Sequence, residues 1–245
     1  MKIALECPVA LLDIIQPLGD FDWILTHLVL QNPEYAAHYS RSSRFKVLDN
    51  SVNELLKPCS WESMLQAAES VNPTLLCPPD FLGDKDQTLS MLKGAVKAVG
   101  PKKILPVLQG SNWDEVIECS KEIQEMGFRR IAVPYDILSK RTDPLEEIGN
   151  QRGRVVTQIR RDFMWVHLLG LSDPGEMELY GGAKEVGSID TGAPYLNGGY
   201  GRRFGQDELF DKTVRMEYNC PVGNRWEDVF YNIAVLRKLV GGGEW

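Results

Sequence analysis

The 245-residue chain has no uncharged apolar run long enough to span a bilayer. Its opening stretch, MKIALECPVALLDIIQ, breaks its apolar residues with Glu6 and Asp13, where a secretory signal needs a clean hydrophobic block. No membrane association and a cytoplasmic location are therefore expected. Metal-site spacing is missing too. The five cysteines, Cys7, Cys59, Cys77, Cys119 and Cys220, lie far apart with neither CxxC nor CxC, and the three histidines form no HxH or HExxH. Reduced, mostly buried thiols and no metal are expected. No GxGxxG loop follows the first strand-like segment, so the phosphate cradle of a dinucleotide-binding sheet is absent, and no cofactor is expected. Positive charge is not in excess either. A formal net charge of −7 argues against a nucleic-acid-binding coat over the whole surface, while leaving room for a local basic groove. No linker or low-complexity tract divides the chain, and one domain over residues 1–245 is expected.

What is present is a rhythm. Short apolar, β-branched runs recur as DWILTHLVL (22–30), FKVLDN (45–50), TLLCPPD (74–80), KILPVLQG (103–110), RIAVPYD (130–136), FMWVHLLGL (163–171) and VGSIDTG (186–192). Each reads as a buried parallel strand. Between them lie helical stretches such as SWESMLQAAESV and NWDEVIECSKEIQEMG, with Ser60 and Asn112 as start signals and Gly100 and Gly127 as stops. Alternation of this kind, at roughly 25 to 30 residues per unit, predicts an α/β fold of the closed (β/α)8 TIM-barrel type. The eighth strand is either KIALE (2–6) or TVRMEY (213–218), and RWEDVFYNIAVLRKLV (225–240) closes the ring as a helix.

In a barrel the chemistry belongs at the C-terminal strand ends. Here the runs end on Asp49, Asp80, Gln109, Pro134-Tyr135-Asp136, Gly170 and Asp190. An aspartate in such a place also serves as a helix cap or turn residue, and Gln109 before Gly110 also suits a strand-end backbone partner. Three aspartates and a glutamine at corresponding places favour a common mouth.

Taken in order, LDNSVNE, PPD, PVLQG, AVP, HLLGL and SIDTGAP resemble the motifs of the tRNA-guanine transglycosylase superfamily, most of all its short phage and bacterial members that insert 7-deazaguanines into DNA. The resemblance covers roughly residues 20–200. It implies a pentosyltransferase, with Asp190 as the nucleophile that forms a covalent glycosyl intermediate and Asp49 as general acid/base. It further implies that Asp80 and Gln109 read a guanine-like edge and that the backbone after Val133 adds contacts, although Pro134 stands where relatives often have glycine. The partners it implies are DNA, or alternatively tRNA, and a free 7-deazaguanine base. The clustered cysteines of the tRNA enzymes are missing, which favours DNA.

The residue types suit such chemistry in their own right. A carboxylate beside a sugar's anomeric carbon stabilises oxocarbenium charge, a second carboxyl cycles a proton, and neighbouring carboxyls push their pKa values apart. His27 and His167 fall within apolar runs and are expected to be hydrogen-bonded core residues, with His167 on the pocket floor beside Gly170. In APYLNGGYGRRFGQDE, glycines make a flexible loop in which Arg202 and Arg203 lie between Tyr200 and Phe204. That pattern suits phosphate contact and base stacking, with Lys140 and Arg141 joining the groove; a solvated loop is the alternative. A homodimer, a partner-dependent nucleic-acid-binding subunit, and an unrelated barrel lyase or hydrolase using paired carboxylates stay open beside the exchange reaction.

Overall fold

The computed structural model describes residues 1–138, 145–180, 186–210, 214–219 and 225–241, without the side chains of residues 145–150 and 178–179. Parallel strands form a ring of staves: β1 (Lys2–Leu5), β2 (Asp22–Leu25), β3 (Lys46–Asp49), β4 (Leu75–Leu76), β5 (Arg130–Pro134), β6 (Trp165–Leu169) and β7 (Val186–Thr191). One sheet runs β1-β7-β6-β5 and the other β2-β3-β4. Between β4 and β5 the segment 104–107 supplies the remaining stave through single bridges, Leu76 to Ile104 and Val107 to Ala132. Pro106 explains why no longer ladder forms there, since it has no N–H to donate and serves only as acceptor, from the Ala132 N–H at 2.8 Å. This is the (β/α)8 architecture that the alternation predicts.

The first strand closes the ring. Ala4 pairs with Asp190 and Leu5 with Thr191, so KIALE and not the 213–218 stretch is the missing strand. Residues 214–219 are irregular, and their even-numbered side chains are more sheltered than their odd ones, which is the alternation that reads as a strand. Across the junction between β1 and β2, Asp20 holds both polar groups of Ile3: its N–H donates to the Ile3 carbonyl at 2.6 Å and its carboxylate accepts the Ile3 N–H at 2.7 Å. Arg237, from the helix Trp226–Leu239, donates to the same carboxylate at 2.7 Å.

Helices start and stop where their caps require. The side chains of Asn32, Ser60, Asp84 and Asn112 each accept a first-turn N–H of the helices Pro33–Arg41, Trp61–Val71, Lys85–Val99 and Trp113–Glu125. Two expectations fail. The run DWILTHLVL is a strand only to Leu25, because the chain turns at Thr26 into a helix, Thr26–Gln31, once the Thr26 hydroxyl bonds the Asp49 carbonyl at 2.5 Å. His27 therefore sits above the ring rather than inside a strand. The glycine-rich stretch after Asp190 is a loop only in part: Ala193–Gly199 is a buried helix packed on Trp226–Leu239, and residues 200–208 follow it as irregular turns.

Glycine makes that packing possible. A Cβ at Gly198 would lie 2.5 Å from the Val229 backbone. Gly198→Ala is expected to cost about 1–3 kcal/mol in urea-induced unfolding, because the obstacle is main chain. Gly94, inside the helix Lys85–Val99 with open space around it, provides the contrast: Gly94→Ala should stabilise by about 1 kcal/mol in the same measurement.

Candidate active site

Five adjoining positions in the ring end in ionisable side chains. In spatial order they are Asp190 on β7, Glu6 immediately after β1, His27 after β2, Asp49 at the end of β3, and Asp80 beyond β4. All five gather at the C-terminal mouth, where Glu54, from the short helix Val52–Leu55 after β3, joins them.

Asp190 is 4% exposed, and its Oδ1 accepts two hydrogen bonds, from the Gly170 N–H at 3.0 Å and from His167 Nε2 at 2.9 Å. Burial opposes its charge. The His167 ring, the Gly170 N–H and the Glu6 side chain outweigh that and hold Asp190 below the ordinary aspartate value. The His167 side chain is wholly buried, stacked on Trp23 with centroids 4.5 Å apart, and its Nδ1 lies 2.8 Å from Ser188 Oγ. Trp165 Nε1 donates to that same hydroxyl at 2.8 Å. Ser188 thus has its own proton free for His167 Nδ1, which leaves the Nε2 proton directed at Asp190.

Glu6 behaves in the opposite way. Burial, then the charges of Asp190 and Glu54, raise its carboxyl well above the usual range, and it shares a hydrogen bond with Asp190. Tyr218, in the stretch over the mouth, donates to Glu6 Oε2 at 2.6 Å. Asp49 is raised by burial and by Glu54, while the Ser51 N–H, at 2.7 Å, pulls it partly back. That bond closes the tight turn in which Ser51 takes a left-handed conformation, φ 63°.

Asp80 and Gln109, expected to complement a purine edge, complement each other. Gln109 Nε2 donates to Asp80 Oδ2 at 2.5 Å, Asn50 Nδ2 donates to Oδ1 at 2.7 Å, and Gln109 Oε1 accepts from the Gly83 N–H at 3.0 Å. Burial lifts Asp80 to about 6 despite these donors. Of the remaining expected site residues, Gly170 and His167 serve Asp190, whereas Val133 and Pro134 pair with Leu168 and Leu169 within the strand wall.

The expected nucleic-acid contacts are engaged inside the chain. Arg203 Nε bonds Asp228 at 2.5 Å, Arg202 donates to the Glu208 carbonyl and lies over the Phe210 ring, and Tyr200 packs edge-on to Phe210. Lys140 and Arg141 lie outside the described residues. Sequence reasoning missed Glu6, although its signal was available: it ends a buried apolar run as Asp49 and Asp190 do.

No protein-family model matches the chain, and no curated protein matches it. Among solved structures, monomers generated from the dimeric phosphoribosylanthranilate isomerase of Thermotoga maritima match with a TM-score of 0.50 and 10% identity, over 97% of this chain and 99% of that one. At that identity the likeness is one of fold. These findings overturn the resemblance to transglycosylases, and with it pentosyl transfer, 7-deazaguanine exchange and DNA modification as the activity. The physical reason lies in the motifs: short runs ending in Asp, Gln or Gly recur in order because barrel strand ends recur in order, and the two base-edge residues are already each other's partners.

The carboxyls predict a pH dependence of stability. Glu6, Asp49 and Asp80 have raised folded-state values, so the folded chain binds more protons than the unfolded one above the ordinary carboxylate range. Their contribution is complete below the unfolded values and is lost as pH rises through the folded ones, about 6 for Asp80. The urea midpoint should therefore be higher at about pH 5 than at about pH 8, and Asp80→Asn should narrow the difference.

Proposed function

We propose that the chain is an acid–base enzyme of the lyase or hydrolase class, in which Asp190 acts ionised and Glu6 acts protonated on a small molecule held at the barrel mouth. One observation carries this reading: Glu6 and Asp190 stand on neighbouring staves, the Glu6 N–H donating to the Thr191 carbonyl at 2.9 Å, in surroundings that hold Asp190 below and Glu6 above the ordinary carboxylate range. The surroundings thereby favour an ionised carboxylate and a protonated carboxyl side by side.

The proton balance closes within the pair. Asp190 takes a proton from a substrate carbon, for elimination, or from water, for hydrolysis. Glu6 gives its proton to the leaving group. The pair is left as Asp190–H beside a Glu6 carboxylate, and transfer across their shared hydrogen bond restores the starting state. His167 does not exchange protons in this cycle; it holds Asp190 in place and stabilises its charge. Asp49 faces the same space from β3.

The test is turnover of a panel containing hydroxy- and amino-acid eliminations and chromogenic esters, amides and glycosides. The expected result is one reactive class with a bell-shaped pH profile. Asp190→Asn should lower kcat about a thousandfold and abolish the acidic limb, and Glu6→Gln should lower it about a hundredfold and abolish the alkaline limb. Full activity in either variant would overturn the assignment.

A further inference from the structure

We infer that the mouth binds a small organic cation, an ammonium, amidinium or guanidinium group, seated between Glu54 and Asp49 with the His27 ring accepting a further N–H. The inference names a substrate class for the site and rests on the reading of this mouth as the reaction centre.

Its independent support is a pair of unused acceptors. Glu54 Oε2 and His27 Nδ1 have no water-accessible surface and no hydrogen-bond partner. Buried polar atoms seldom stay unpaired, and one that does calls for a donor from water or from a ligand. His27 is 9% exposed and stands between Glu6 and Asp49 in the ring, its imidazole edge-on to Tyr218, the residue that bonds Glu6. Burial lowers its pKa, so the ring is neutral at pH 7 and offers one nitrogen as acceptor. Glu54 lies on the short helix that follows the Asp49–Ser51 turn, and its charge pushes up the carboxyls of Asp49 and Glu6.

The charges around Glu54 point the same way. Facing it are Asp49, Glu6 and Asp190, and on the positive side Arg215, whose guanidinium donates to the Glu54 backbone carbonyl at 2.8 Å. A phosphate or carboxylate ligand would add its charge to that of Asp190 and push the neighbouring carboxyls further from ionisation. A cation rich in N–H groups would supply donors to Glu54 and His27 together and relieve repulsion among the carboxyls. A metal ion fits less well: among the described residues no three His, Cys, Asp or Glu side chains converge closely enough to coordinate one.

A bound cation would favour the ionised forms of Glu54 and Asp49, so binding should release protons and strengthen as pH rises. Calorimetry on the full chain, with methylguanidinium, agmatine, putrescine, neutral methylurea and Mg²⁺ as probes, tests this in two buffers of different ionisation enthalpy. At least one organic cation should bind, once per chain, with proton release and about tenfold more tightly at about pH 8 than at about pH 6. Glu54→Gln should weaken it about tenfold without lowering the urea midpoint, and His27→Phe should weaken it too. The inference is overturned if only Mg²⁺ binds, if methylurea binds as well as methylguanidinium, or if Glu54→Gln binds like the parent. Turnover of neutral substrates alone, with no cation affinity, would sink the inference and keep the acid–base pair. Cation binding that vanishes in Glu54→Gln, without turnover of any panel compound, would keep the inference and sink the acid–base reading.

Discussion

An aspartate inside a barrel keeps its charge only where hydrogen-bond donors replace the water it has lost. Asp190 meets that condition through His167 and Gly170, and each donor depends on structure further down. His167 is set by Ser188, by Trp165 below it and by the flat face of Trp23. Gly170 turns with φ +60°, and its carbonyl and that of Leu169 accept from Arg152 at 3.0 and 2.8 Å. Arg152 is buried against Glu176, with which it makes a two-pronged pair. A buried pair of this kind adds little net stability. Here it fixes the geometry of the β6 end and so the aim of the Gly170 N–H.

The remaining carboxyls make sense as the converse. Glu6, Asp49 and Glu54 lack a donor set comparable to that of Asp190, and burial dominates each of them. A single ionised group among neighbours pushed toward neutrality is a stable arrangement, because each further charge would face the first across a few ångströms with little water between.

Much of the barrel was legible. Alternating apolar runs and capped helices place nearly every strand, because a parallel strand buried on both faces must be apolar throughout and a helix must cover it. Asp49, Asp80, Gln109 and Asp190 were legible as mouth residues for the same reason. What could not be read is whom each one faces. Asp80 and Gln109 lie on staves joined only through the 104–107 bridges, and local sequence does not state that their side chains meet. His27 looked like strand interior because THLVLQ is as apolar as the strand before it; only the Thr26 hydroxyl, bonded across to β3, ends the strand. Arg202 and Arg203 read as free cations because Asp228, Glu208 and Phe210 enter their surroundings through tertiary packing.

Closure of the ring by its first and last strands has a consequence for the order in which the molecule is made. Glu6 leaves the ribosome long before its partner Asp190, with five strands of the ring between them. Until β7 docks beside β1, Glu6 is an ordinary solvated glutamate with no Asp190 beside it. The paired state is therefore a property of the finished ring alone, so a stalled or clipped chain carries the residues without the chemistry.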